Sequence, residues 1–243
     1  MKKIILVSAL LAMCLCAGAN GAKQYQIGQK RYSPAGSGPA SPFRCSAMQS
    51  SSWATYNQPI CSGAQVGDLA VIFATTGLSF NTYPSGWTVG YANNASCGSC
   101  YYSGFAAWKV LSSGDISTGY VTIAVYGGSY YGETAIAVLI GDPGPVRESE
   151  GNDIGNATTT SVSTTSGVLS SDIGVFFSGI RPDTTGATVG ISPGTNLKTA
   201  QSSHTGGTLA GLAAMSAGVN TIGFNFSPTN SGNGAYDALV IIE

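Results

Sequence analysis

Charged residues are scarce in this chain of 243 residues: they make up 9% of it, whereas soluble domains average roughly 25%. Ten lysines and arginines against eleven acidic residues leave a formal net charge of −1. A protein that binds nucleic acid needs a basic surface to meet the phosphates. The composition therefore argues against a nucleic-acid partner.

Long hydrophobic runs are also missing, since no segment reaches the roughly 20 uninterrupted apolar residues that span a bilayer. The run Ile4–Cys16 has thirteen residues, follows Lys2 and Lys3, and precedes the small residues of Ala17–Ala19. These three regions are typical of a secretory signal peptide. We predict a signal peptide over 1–19, no permanent membrane span, and a secreted, cell-surface or periplasmic location.

Residues 20–44 contain four basic residues, no acidic residue and no apolar periodicity, and they include the Pro-, Gly- and Ser-rich stretch Ser33–Pro42. This composition is typical of a flexible linker. We interpret the segment as a solvated basic linker, and attachment to an anionic surface or a partner as the alternative. The rest of the chain, 45–243, is predicted to be the folded domain.

Four cysteines remain once a signal peptide is removed: Cys45, Cys61, Cys97 and Cys100. In an oxidising compartment an even number of cysteines predicts disulfides. Of the three pairings, proximity in sequence favours Cys45–Cys61 and Cys97–Cys100, and the first bond stabilises by about 3 kcal/mol in the chain-entropy model. A four-cysteine zinc site needs a second Cys-x-x-Cys pair and a redox site needs a helix N-terminus. The sequence indicates neither, so we predict no metal and no cofactor.

Patterns of an amphipathic helix are almost absent after residue 44. Short segments rich in β-branched and aromatic residues recur instead, bounded by Gly, Pro, Ser or Asn, and they predict strands. These segments are Asp68–Phe73, Tyr120–Tyr126, Thr134–Ile140, Asp172–Phe177, Thr221–Phe226 and Ala238–Ile242, with a less regular one at Leu209–Met215. The pattern favours an all-β fold.

The strand pattern occurs twice in the chain. Matching segments are Asp68–Phe73 with Asp172–Phe177, Ala106–Trp108 with Ala213–Met215, and Ala137–Ile140 with Ala238–Ile241, at offsets of 104, 107 and 101 residues. We predict two repeats of about 100 residues, in halves 45–146 and 147–243. Tandem sandwiches and one interleaved sandwich both fit. The second half lacks cysteine and tryptophan, which favours the interleaved arrangement.

Three motifs stand in the first half: Gly67-Asp68-Leu69, Tyr83-Pro84-Ser85-Gly86-Trp87-Thr88 and Ala106-Ala107-Trp108-Lys109-Val110. In this order, over residues 62–146, the chain resembles β-sandwich modules of phage tail and virion proteins and of some secreted bacterial proteins. The resemblance implies a jelly-roll-like antiparallel β-sandwich that serves in structure or surface attachment, usually without demonstrated catalysis. From its size, Trp87 is expected to close one end of the core. Lys109 is expected to face solvent.

Residues suited to catalysis are few. The single histidine, His204, lies in a polar loop without a nearby acid, and no Gly-x-Ser-x-Gly motif is present. Acidic residues are available for glycoside hydrolysis, but their spacing selects no pair: Glu133, Asp142, Glu148, Glu150, Asp153 and Asp237. Gly151–Asn156 is interpreted as a turn and not as a calcium loop. We predict that the protein is not an enzyme.

Tyrosine pairs are the surface feature with functional content. Tyr101, Tyr102, Tyr130 and Tyr131 lie in glycine-bounded segments, where exposed rings offer apolar faces and hydroxyl rims to a sugar or to another protein. The alternative is that these rings cover sheet edges. We predict a secreted or surface-displayed, non-enzymatic β-sandwich that binds a glycan or a surface protein through these four residues. The alternatives are a self-assembling subunit of a virion, phage tail or extracellular assembly, and a carbohydrate-active hydrolase.

Overall fold

The computed structural model describes residues 41–243 apart from 54, 97–100, 126–129, 155–156, 165–166, 181–187, 202–204 and 231–234. The first half contains β1 (Phe43–Trp53), β2 (Thr55–Pro59), β3 (Leu69–Thr76), β4 (Phe80–Thr82), β5 (Thr88–Ser96), β6 (Tyr101–Val110), α1 (Ser113–Thr118), β7 (Tyr120–Val125) and β8 (Tyr130–Leu139). The second half contains β9 (Val146–Ile154), β10 (Ala157–Ser163), β11 (Ile173–Ile180), β12 (Thr188–Ser192), β13 (Thr195–Gln201), β14 (Gly206–Leu212), β15 (Thr221–Asn230) and β16 (Ala235–Ile242). The predicted signal peptide and nearly all of the predicted linker lie outside the described residues.

The strands form antiparallel sheets, two in each half. The first half has a five-stranded inner sheet, β1-β8-β3-β6-β5, and a three-stranded outer sheet, β2-β7-β4. The second half has the inner sheet β9-β16-β11-β14-β13 and the outer sheet β10-β15-β12. Each strand of the second half thus holds the place of the strand numbered eight lower. The all-β sandwich with a repeated strand plan is confirmed, and its closer assignment as a jelly roll stays a prediction.

Every described sheet takes its strands from one half. The interleaved sandwich, which the sequence favoured, is therefore wrong. The two inner sheets instead pack face to face, with β1 beside β13 and β5 beside β9. Their strands carry apolar side chains on both faces, and β3 and β16 are buried at every position. Each half therefore has one apolar sheet face that its own outer sheet does not cover and that the other half covers.

Three apolar clusters separate the four layers. The cluster between the first outer and inner sheets includes Ile72, Phe105 and Ile123. The cluster between the two inner sheets includes Phe73, Phe177 and Val240. The cluster between the second inner and outer sheets includes Phe176, Ile222 and Phe224. Phe73 and Phe177 stack across the middle layer with ring centroids 5.4 Å apart and planes 12° apart. These two rings stand on the middle strands of the two inner sheets, so the halves share one core.

Glycines allow aromatic rings of one half to lie directly on strands of the other. A Cβ atom on Gly104 would lie 2.1 Å from the ring of Tyr236, and one on Gly151 would lie 2.2 Å from the ring of Tyr91. Both distances are far below van der Waals contact, so these positions require glycine. Gly151 belongs to β9, which continues to Ile154. The predicted turn over 151–156 is therefore wrong where the structure describes it.

The register of the strands corrects the alignment of the two repeats. Phe73 pairs with Ala106 and Ala135, and Phe177 pairs with Leu209 and Ala238. The corresponding positions are thus 104, 103 and 103 residues apart. The matches at offsets of 107 and 101 are wrong, because small apolar residues recur along these strands and similarity alone aligned the wrong ones. The offsets between the two repeats are therefore more nearly constant in the structure than in the sequence matches.

In each half, an arginine–aspartate ion pair joins an edge strand of the inner sheet to the start of its middle strand. Arg44 Nη2 donates to Asp68 Oδ1 at 3.1 Å, and Arg147 Nε donates to Asp172 Oδ2 at 2.8 Å. Each arginine lies near the start of an edge strand, and each aspartate precedes the middle strand of that inner sheet. Arg44 therefore belongs to β1 and not to the linker that was predicted to include it.

Asp68 provides a prediction about acid stability. Burial by itself raises the pKa of Asp68, but the hydrogen bonds from Arg44 and from the backbone N–H groups of Gly141 and Gln65 outweigh burial and hold the pKa below its ordinary value of 3.8. A carboxyl group with a lowered folded-state pKa stabilises the fold above its unfolded pKa, and this contribution disappears as the pH falls through the folded value. We expect Asp68→Asn to lower the free energy of unfolding by about 1–3 kcal/mol at neutral pH.

The measurement is urea unfolding of both proteins from pH 7 downward. The difference between them is expected to shrink below pH 3.8 as the wild-type carboxylate is protonated. Asp142→Asn, at an exposed position, is the matched control for the change from carboxylate to amide. A difference that stays constant down to pH 2 would contradict the assignment to the ionised Asp68.

Candidate functional site

Two open clefts of about 620 Å³ each lie on either side of the turn that joins β4 to β5. The first, which we call the tyrosine cleft, is lined chiefly by Tyr83, Ser85, Trp87, Asp115, Tyr120 and Thr122. The second, which we call the lysine cleft, is lined chiefly by Gly86, Thr88, Trp108, Lys109, Val110 and Asp142. Both volumes lie in the range of small-molecule sites.

Tyr83 is positioned by the aromatic core beneath it. It follows β4 directly, and its ring meets the buried ring of Phe105 edge to face, with centroids 5.3 Å apart and planes 80° apart. Phe80 holds Phe105 in the same way from a neighbouring position, at 4.8 Å and 81°. Tyr83 remains 42% exposed. One edge of the ring is therefore anchored while a large part of it faces the cleft.

The short helix α1 brings Asp115 and Tyr120 to the same cleft. Ser112 caps the helix: its Oγ accepts from the backbone N–H of Asp115 at 3.3 Å, and Asp115 Oδ2 accepts from the backbone N–H of Ser112 at 2.8 Å. This reciprocal pattern is a capping box. Gly119 ends the helix with φ of 75°, and its N–H donates to the carbonyl of Asp115 at 2.9 Å. Tyr120 follows at once, 46% exposed, as the first residue of β7.

Asp115 is held as a fixed negative charge in the cleft wall. Lys109 Nζ donates to its Oδ1 at 2.8 Å, and Ser112 Oγ donates to its Oδ2 at 2.6 Å. Burial raises the pKa of Asp115, but the bonds from Lys109 and Ser112 outweigh burial and keep the pKa below its ordinary value. Lys109, predicted to face solvent, is 25% exposed, and its ammonium group is bound to Asp115.

Trp87, predicted to close one end of the core, packs against it and also lines the tyrosine cleft. Its side chain is half-buried and packs against the cluster between the first outer and inner sheets. Its backbone N–H donates to the carbonyl of Pro84 at 3.3 Å, which closes the turn. The aromatic floor of the cleft is thus part of the folded core.

The two connections that build the tyrosine cleft differ in the described part of the second half. Two residues, Pro193 and Gly194, join β12 to β13 where the first half has the turn 83–87. Residues 213–220, which join β14 to β15, form no helix. Of the two connections that build the tyrosine cleft, the first is thus shorter in the second half and the second lacks the helix.

The four tyrosines predicted as ligand-binding residues lie at the opposite end of the sheet. Tyr101 and Tyr102 begin β6, and Tyr130 and Tyr131 begin β8. Both strands flank the C-terminal end of β3, so the topology brings the two pairs to one end of the inner sheet. Their side chains lie outside what the structure describes. Their role in binding stays a prediction.

The acidic residues considered for hydrolysis are dispersed. Glu133 and Asp237 are completely buried and Glu148 is 8% exposed, so none of these three meets a substrate in solution. Asp142 is exposed and lines the lysine cleft. The side chain of Asp153 and all of His204 lie outside the described residues. In the part of the chain that is described, no group of three or more His, Cys, Asp or Glu is placed to hold a metal ion.

The disulfide between Cys45 and Cys61 is confirmed, with Cα atoms 5.9 Å apart. Cys97 and Cys100 lie outside the described residues, so their bond stays a prediction. None of the helices in the described ranges is long and apolar enough to cross a membrane.

No protein-family model, curated protein or solved structure matches this chain. The resemblance to phage tail and virion modules therefore stays a prediction.

Proposed function

We propose that this protein binds a glycan without covalent chemistry, and that the tyrosine cleft is the binding site. The observation that carries the proposal is the exposure of two tyrosine rings, Tyr83 at 42% and Tyr120 at 46%, in one concave site with Trp87. The C–H faces of a sugar ring pack on flat aromatic rings, while its hydroxyl groups need hydrogen-bonding partners at the rim. Asp115, Ser85 and Thr122 supply such partners.

The shape of the site favours a glycan over a protein partner. A stable protein–protein interface buries roughly 1,600 Å² in total over a broad patch, whereas small ligands occupy clefts with a few fixed polar groups. The tyrosine cleft has that second form, because the capped helix α1 fixes Asp115 and the core fixes Tyr83. The predicted signal peptide and the Cys45–Cys61 disulfide support an extracellular location, where glycans are exposed.

The electrostatics favour binding over hydrolysis. Glycosidases use two carboxyl groups on opposite sides of the scissile bond, about 5–9.5 Å apart. Among the described residues that line the tyrosine cleft, Asp115 is the single acid. Both of its oxygens already accept hydrogen bonds, from Lys109 and from Ser112. Asp115 is thus suited to orient a sugar hydroxyl and not to transfer a proton.

The test is a glycan array followed by titration of the best ligand against wild type and variants. We expect Tyr120→Ala to weaken binding at least tenfold, which corresponds to about 1.4 kcal/mol. The Tyr120 substitution is easier to interpret than one at Tyr83, because the ring of Tyr83 also packs on Phe105. Tyr120→Phe, which keeps the ring, is expected to retain most of the affinity.

Leu169→Ala is the matched control, since Leu169 is 52% exposed and lies outside the cleft. It is expected to leave binding unchanged. The double variant Tyr130→Ala/Tyr131→Ala tests the opposite end of the sheet. Loss of binding in that variant but not in Tyr120→Ala would move the site to the other end. If no ligand on the array binds, the glycan proposal is rejected.

A further inference from the structure

The tyrosine and lysine clefts are separated by a single turn whose residues alternate between them. Ser85 and Trp87 line the tyrosine cleft, while Gly86 and Thr88 line the lysine cleft. Successive residues of one turn therefore contribute to two adjoining sites. A ligand too long for one cleft has the other directly across this turn.

Gly86 carries no side chain and lies in the turn whose residues line both clefts. This residue has φ of 77°, a conformation that favours glycine, and as a glycine it places no side chain between the clefts. A Cβ atom there would lie 3.7 Å from Lys109 Nζ, which places the ammonium group beside Gly86. Lys109 in turn holds Asp115 of the tyrosine cleft at 2.8 Å. The two clefts thus share one ion pair, with Lys109 in the lining of one and Asp115 in the lining of the other.

The charges of the two linings indicate an uncharged ligand. Their described residues include one cation, Lys109, and two acids, Asp115 and Asp142. Lys109 is already neutralised by its bond to Asp115, and Asp142 leaves an excess of negative charge. An anionic chain would be repelled. Hydroxyl groups, in contrast, find donors and acceptors in Thr88, Asp142 and the ion pair.

From this arrangement, and resting on the proposed function, we infer that the ligand is an uncharged linear oligosaccharide. It occupies the tyrosine cleft, crosses Gly86, and continues into the lysine cleft against Trp108. Single sugars and disaccharides fill the tyrosine cleft alone. Longer chains gain contacts in the second cleft, so affinity depends on chain length.

The experiment measures dissociation constants for ladders of two to six units. The probes are β-1,4-linked glucose, β-1,4-linked xylose and α-1,4-linked glucose oligomers, with α-1,4-linked galacturonate oligomers as the anionic series. We expect one neutral ladder to bind about tenfold more tightly at six units than at two, equivalent to about 1.4 kcal/mol. The anionic ladder is expected not to gain affinity with length.

A blocking variant distinguishes the two clefts. Val110 is 43% exposed and lines the lysine cleft, so Val110→Arg is expected to fill it and to reduce six-unit affinity to the two-unit value. Two-unit binding is expected to stay unchanged, which also shows that the variant is folded. Val219→Arg is the matched control, because Val219 is 70% exposed and lines neither cleft.

The outcomes separate this inference from the proposed function. Binding that does not change between two and six units would confine the ligand to the tyrosine cleft. A length gain that survives Val110→Arg would place the added units outside the lysine cleft. Either result would overturn the inference alone. Absence of binding in every ladder and on the array would overturn both. Length-dependent binding of the galacturonate series alone would overturn the assignment of an uncharged ligand.

Discussion

Phe177→Ala is expected to lower the free energy of unfolding by about 3–5 kcal/mol, the range for removing a buried phenylalanine ring. Phe177 is completely buried on the middle strand of the second inner sheet. Its ring stacks on Phe73 of the other half at 5.4 Å. Both inner sheets are packed on their far faces as well, so neither sheet can move in to close the cavity.

The native tryptophans allow this experiment to ask whether the two halves unfold together. Trp53, Trp87 and Trp108 are all in the first half, while the substitution is in the second. If the halves share one core, the transition seen by tryptophan fluorescence in guanidinium shifts as far as the transition seen by circular dichroism. We expect the two probes to coincide.

The control for this experiment is Leu169→Ala, at a position in the second half that is 52% exposed. It is expected to change the free energy of unfolding by less than about 0.5 kcal/mol. An unshifted fluorescence transition in Phe177→Ala would mean that the first half folds alone. That result would contradict a shared core between the inner sheets.

The double variant Cys45→Ala/Cys61→Ala is expected to lose about 3 kcal/mol, the chain-entropy value for a loop of this size. The two cysteines are 16 residues apart. The bond ties β1, an edge strand of the inner sheet, to the segment that leaves β2 of the outer sheet. Its removal mainly increases the freedom of the unfolded chain, and the packing between the sheets stays in place.

The measurement is denaturant unfolding of the double variant and of the oxidised wild type without reductant. A variant as stable as the wild type would show that the bond contributes nothing. Cys97→Ala/Cys100→Ala, made in the same way, tests the second predicted bond. We expect a smaller loss there, because a shorter loop restricts the unfolded chain less.

The strands that the sequence predicted best are central strands of the inner sheets and the middle strands of the outer sheets. Segments such as Leu69–Phe73 and Ala238–Ile242 are apolar throughout, because both faces of those strands are buried. The edge strands of the four sheets were not predicted. β13, for example, is polar and mostly exposed and has no alternating pattern. β14 was predicted three residues too late, at Leu209 instead of Gly206.

The candidate site was much harder to predict than the strands. The sequence draws the prediction to adjacent tyrosines, whereas Tyr83 and Tyr120 each lack a neighbouring tyrosine and lie far apart in sequence. One local signal was available: Ser112 followed three residues later by Asp115 is a capping pattern, and it marks the helix that carries the cleft's carboxylate. Nothing local indicates that the turn 83–87 and this helix lie beside the same cleft.

By itself the sequence determined the fold class, the presence of two repeats and the pairing of Cys45 with Cys61, because each depends on the order and spacing of residues along the chain. Only the tertiary structure decided how the repeats combine, and which side chains share a cleft. The apolar face of an inner strand is equally suited to any apolar partner. Which partner it meets depends on long-range packing, and here the rings of Tyr91 and Tyr236 fit the other half because Gly151 and Gly104 have no side chain.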